Sequence, residues 1–76
     1  MSCIYEVRYE IQWHSAKPTH WEAQTIRVAA DADALVAVEK ARKHALAQHQ
    51  LDDYGLEERC SDFRLREVIL VAEAQL

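Results

Sequence analysis

The chain holds one glycine, one proline and one methionine among its 76 residues. A single glycine cannot build a phosphate cradle, which needs several backbone positions free of Cβ. Two cysteines do not make a disulfide scaffold, so the expected state is two free thiols in a reducing cytoplasm. No apolar run approaches the roughly 18 residues of a membrane span. Strand pattern begins at Cys3-Ile4-Tyr5, which predicts no signal peptide. Positive charge is also sparse: nine Lys and Arg face thirteen Asp and Glu, for a net charge of −4 and a pI near 5.4. The basic residues form no run. Non-specific nucleic-acid binding needs a concentrated positive face and is therefore disfavoured.

Apolar residues make up 50% of the chain, but twelve of them are alanine. Core volume must come from the Val, Ile, Leu and aromatic side chains. A single domain over residues 1–76 is expected, of a size at which one core supplies ~3–5 kcal/mol of net stability. A second copy or another partner would add to that.

Residues 4–14 alternate. Tyr5, Val7, Tyr9, Ile11 and Trp13 share one face, and Glu6, Arg8, Glu10, Gln12 and His14 the other. This is a half-buried strand with one wet face. A turn at Ser15-Ala16-Lys17-Pro18-Thr19 leads to a second strand over 20–30. There Ile26, Val28 and Ala30 share a face and Trp21 falls on the opposite, outer one, unless a bulge near Gln24 shifts the register. Along Val28-Ala29-Ala30-Asp31-Ala32-Asp33-Ala34-Leu35 a period of two gives way to a helical period. Asp31 is the predicted N-cap, with Asp33 in the first turn. The helix is predicted to run to Gln50, with Ala34, Val38, Ala41 and Ala45 in a narrow inward arc and His49 on its buried side. Residues 51–61 read as a loop in which Gly55 takes a positive φ and Leu51, Tyr54 and Leu56 tuck inward. The last strand spans 62–72 and contains Val68-Ile69-Leu70-Val71, apolar on both faces.

The order is ββαβ, an α+β fold. A right-handed crossover makes the second and last strands parallel, giving a three-stranded antiparallel sheet of order 2-1-3 with one helix packed on one face. One helix leaves the other face open. Val68, Leu70 and Trp21 are expected there, on or beside an exposed edge strand, with Ile69 turned to the core; a bulge near Arg66-Glu67 would exchange those roles. Exposed apolar edges invite pairing. The expectation is a homodimer, or a chain that covers this strand with a different protein.

Candidate chemistry is thin. His14, His20, His49 and Cys60 are expected at one end of the domain and are the candidate zinc ligands. No pair among them has tight ligand spacing, and ordinary surface histidines are the expected reading, with no metal and no cofactor. Cys60 lacks a glycine-rich oxyanion turn, and Glu6 and Glu10 lie on an open face rather than in a cleft. Tyr5, Tyr9 and Trp13 sit on the face the helix covers, which removes them as a base-stacking platform. The acidic residues Asp52, Asp53, Glu57 and Glu58 form a solvated loop able to dock on a basic partner surface.

These features point to a non-enzymatic protein-binding module. In size and acidity the chain resembles the small inhibitors and accessory proteins of phages and mobile elements, anti-CRISPR proteins among them, and that resemblance rests on no functional motif. The alternative is a small metal- or nucleic-acid-linked regulator that uses the His/Cys end or the arginines of the open face, Arg8, Arg27, Arg64 and Arg66.

Overall fold

The computed structural model describes residues 2–14, 21–31 and 33–74. The turn expected over 15–19, and His20 with it, lie outside the described residues. The elements are β1 (Ser2–His14), β2 (Glu22–Ala30), α1 (Ala34–Leu46), β3 (His49–Leu51) and β4 (Glu57–Ala74). The sheet has four strands in the order β2-β1-β4-β3, and every neighbouring pair is antiparallel. The α+β class and the open, one-helix layout are as the sequence predicts, and the strand count is not. β3 is the added strand. It is three residues long and polar at two of them, too short to show a period.

β1 is the centre of the sheet. Its inward face carries Cys3, Tyr5, Val7, Tyr9 and Ile11, all buried, as the alternation predicts. β2 pairs with it without interruption from Cys3–Ala30 to Ile11–Glu22, so no bulge forms near Gln24. Ile26 and Val28 therefore stay on the helix side, and the register carried one step further sets Trp21 on the open face.

The helix starts later and ends earlier than the sequence suggests. Asp33, not Asp31, is the N-cap: its Oδ1 accepts the Leu35 amide at 2.9 Å while its carbonyl accepts from Val36 and Ala37. An aspartate two residues earlier cannot reach the first orphan amides of a helix beginning at Ala34. Asp33→Ala should accordingly cost about 0.5–2 kcal/mol and Asp31→Ala almost nothing, as read from urea midpoints of the two variants. Equal losses would return the cap to Asp31.

At the other end the Gln48 carbonyl accepts the Cys60 amide at 3.1 Å, so the chain leaves the helix to join β4 and His49 becomes a strand residue. The inward helix stripe is Ala37, Ala41 and Ala45, each fully buried, with Val38 half-buried and Ala34 exposed. Alanine every fourth residue lets the helix backbone lie close on the sheet. Trp13, Ile26, Val28, Phe63 and Val68 complete the core from the rim.

β4 departs furthest from expectation. It begins at Glu57, and its pairing with β1 slips at three places. Ser61, Arg66 and Val71 are the extra residues, because their neighbours oppose consecutive positions of β1. Each slip flips the alternation. Phe63 and Leu65 face the helix, and after Arg66 so do Val68 and Leu70, opposite Val7 and Tyr5. Ile69, opposite Glu6, faces the open side. This corrects the placement of Val68 and Leu70 on the open face: the bulge at Arg66 exchanges the roles, and Val68 packs against the core. The molecule is elongated, 48 × 19 × 15 Å. Among the described residues no helix is long and apolar enough to cross a membrane.

Candidate functional site

The His/Cys end does not converge. Arg59 pairs with His14 on one side and His49 on the other, which sets both imidazoles on the open face. Cys60 follows Arg59 and turns to the helix side, where it is buried and its thiol donates to the Asp62 carbonyl at 3.4 Å. The sheet itself separates the thiol from the imidazoles. His49 lies exposed beside Glu57 at 3.8 Å. Among the described residues no group of three or more His, Cys, Asp and Glu is placed to hold a metal ion. Burial pushes the Cys60 thiol above its ordinary range. It is therefore protonated at neutral pH, the opposite of an activated nucleophile. Cys3 is buried at the far end of β1, ten strand positions from the Cys60 partner Trp13, or about 33 Å at ~3.3 Å per residue.

Of the acidic residues expected in one loop, Asp52 is committed to a turn, while Glu57 and Glu58 are the first residues of β4. Asp52 Oδ1 accepts the amides of Tyr54 and Leu56, both at 2.8 Å, and Gly55 closes the turn with a φ of 79°. Glu58 accepts from Gln50, and Glu57 lies against Arg59 at 3.7 Å. Asp53 is exposed at the tip. Leu51, Tyr54 and Leu56 do not tuck inward: all three are exposed.

The open face is a lattice of ion pairs. Glu6 takes Arg8 at 2.9 Å and Arg27 at 3.5 Å, and Arg8 also reaches Glu67 at 3.2 Å. Glu10 takes Arg64 at 3.0 Å and Arg66 at 3.4 Å. The Arg64 guanidinium lies over the Trp21 ring at 4.1 Å, so the indole expected on this face is there and is covered by a cation. Each of these arginines is engaged by a carboxylate. The hydrogen bond from Arg64, helped by the charges of Arg64 and Arg66, holds the Glu10 carboxyl below its ordinary range. Because the folded value is the lower one, this stabilisation is complete above the ordinary carboxylate range and is lost as pH falls through the folded value. The urea midpoint should therefore drop on acidification, and less steeply in Glu10→Gln. Identical acid limbs would remove Glu10 from the account.

A polar cluster that sequence reasoning missed sits where α1 ends. Gln24 and Gln48 exchange amide hydrogen bonds at 2.8 and 3.1 Å, and Tyr9 donates to Gln24 at 2.9 Å. Gln48 thus ties the helix end to β2 by its side chain and to β4 by its carbonyl. Glutamines give no periodic signal by which this could have been found.

Among the described residues two long edges have no neighbouring strand, the outer side of β2 and one side of β4. β3 pairs with β4 only over Glu57–Arg59, and Gln48 takes the Cys60 amide. Beyond Cys60 the long strand has no neighbour on that side among the described residues. Along it Leu65 is 44%, Leu70 49% and Val71 41% exposed. The helix flank above it carries two exposed leucines beside Arg42. Lys40 Nζ donates to the Ala29 carbonyl of β2, which fixes the flank turned toward β2. At about 100° per residue, Leu35 and Leu46 lie on the opposite flank, on the β4 side, and both are exposed. Leu65 and Leu70 of β4 and Leu35 and Leu46 of α1 thus stand exposed on the helix side of this unpaired backbone. No family model, curated protein or solved structure matches the chain.

Proposed function

We propose that this protein is a non-enzymatic protein-binding module, of the small inhibitor or accessory kind, that docks through the free edge of β4. The observation that carries the reading is the length of strand beyond Cys60 that has no neighbour while Leu65, Leu70 and Val71 stand exposed along it. An added strand would satisfy the outward amides and carbonyls, and the leucines would supply apolar area beside them. The acidic surface favours a partner face that is neutral or basic. The test is affinity capture from the native host, with wild type, Leu70→Lys and the open-face variant Arg27→Ala as baits. Partners retained by wild type and Arg27→Ala but lost with Leu70→Lys support the edge. Partners held equally by all three baits overturn it.

A further inference from the structure

The free edge of β4 reads the same in both directions. Phe63, Leu65, Val68 and Leu70 all face the helix side, with the bulge between the second and third of them. Turn a second copy about a two-fold axis normal to the sheet, passing between Arg66 and Glu67. Leu65 then lies opposite the partner's Val68, and Phe63 opposite the partner's Leu70. On the open face Arg66 meets the partner's Glu67, and the same pair recurs on the other side of the axis. The apolar pattern of the helix side and the central Arg66–Glu67 pairs are self-complementary in this register, while on the open face Arg64 falls opposite the partner's Ile69.

The bulge narrows the choice of occupant. A regular strand laid along β4 loses register at Arg66, where the edge carries one residue more than its β1 neighbour. A second copy brings the same extra residue to the same level, so both halves of the ladder stay in step. The helices agree with this arrangement. Leu35 and Leu46 stand exposed near opposite ends of the β4-side flank of α1. The same axis runs the two helices antiparallel on one face and brings Leu35 of each copy toward the partner's Leu46.

We infer that the occupant of the β4 edge is a second copy of this chain, joined β4 to β4 in antiparallel fashion about an axis between Arg66 and Glu67. Two four-stranded sheets become one continuous sheet with both helices on the same side. The inference rests on the reading of this edge as the docking surface and names what docks there.

Sedimentation of the purified wild type across the micromolar range should show a concentration-dependent dimer. Leu70→Lys, at an exposed position, should raise the dissociation constant about tenfold or more, the equivalent of ~1.4 kcal/mol, with the melting curve of the diluted monomer unchanged. Register is read by oxidation. Leu65→Cys chains mixed with Val68→Cys chains should form an intermolecular disulfide, and neither variant alone should do so, because like positions lie three residues out of step. A wild type that stays monomeric, or cross-links of equal yield in the mixture and in each variant alone, overturns the inference. A monomer whose host partners are nonetheless lost with Leu70→Lys overturns the dimer and keeps the docking edge. A monomer whose partners are indifferent to Leu70→Lys overturns both.

Discussion

Ile11→Ala is expected to leave a large fraction of the chain unfolded at room temperature. Ile11 is fully buried on the central strand, between Glu22 of β2 and Phe63 of β4. Cutting an isoleucine to alanine at such a site costs ~2–5 kcal/mol, the lost transfer free energy plus a cavity the neighbours cannot fill. A chain of this size has only ~3–5 kcal/mol to lose. The neighbours are ill placed to collapse inward, because the helix facing this sheet is already in contact through alanines. Far-ultraviolet circular dichroism and urea titration at fixed protein concentration would show it. Ile4→Ala, on the open face of the same strand, is the control and should lose much less. Were Ile11→Ala to melt cooperatively within a few degrees of wild type, the core would lie elsewhere.

The second large effect comes from adding volume. Ala41 is fully buried at the middle of the stripe formed with Ala37 and Ala45. Leucine adds three carbons where Ala41 is already fully buried, so Ala41→Leu should push the helix outward or strain the sheet, at about 1–3 kcal/mol. Leucine and alanine are both good helix formers, so propensity does not offset this. For a domain of this length each kcal/mol lowers the melting temperature by roughly 4–8 °C. Glu39→Leu, on the exposed side of the same helix, should shift it little. Equal behaviour of the two variants would place the stripe in water.

The parts of this fold that could be read directly from the sequence are those with one wet face. β1 announces itself because Tyr5, Val7, Tyr9 and Ile11 alternate with charged or amide side chains, and a strand buried on one face has no cheaper pattern. Gly55 was legible for a different reason: a lone glycine between two polar stretches marks a turn that needs positive φ. The helix boundaries were less so. Asp31 and Asp33 are equally good caps chemically, and only the position of the first helical turn separates them. The C-terminal end is set by a tertiary bond, the Cys60 amide on the Gln48 carbonyl, which leaves no local mark on Gln48-His49-Gln50. β4 was the hardest to place. The strand's bulges involve Ser61, Arg66 and Val71, none a residue type that signals one, so the run Val68–Val71 reads correctly as apolar on both faces, but which of its residues face the helix does not show. The candidate site inherits that difficulty. The edge was legible as an apolar strand in need of cover, while the identity of its inward and outward residues waited on the bulge. The alternation of β1 sets His14 on the open face, as found, while the faces of His49 and Cys60 were not legible, since the parity of β3 and of the start of β4 follows from pairing alone.

The bulges also decide how this chain responds to a change in its length. β4 carries an extra residue at every fifth position, where β1 opposite it breaks at every fourth. Deleting Arg66 itself leaves Leu65 opposite Tyr9, Glu67 opposite Arg8 and Val68 opposite Val7, with each side chain still on its own face. The strand straightens there and nothing downstream moves out of phase. Deleting a residue between two bulges exchanges faces only as far as the next extra residue, which can be drawn into the ladder to restore the phase. Loss of Ile69, for example, turns Leu70 outward and Val71 inward and leaves Ala72 opposite Ile4 as before. In an unbroken strand a single missing codon inverts every side chain to the end of the element. Here the damage stops within a few residues, so this strand can shorten by single residues over evolutionary time without turning its sheet inside out.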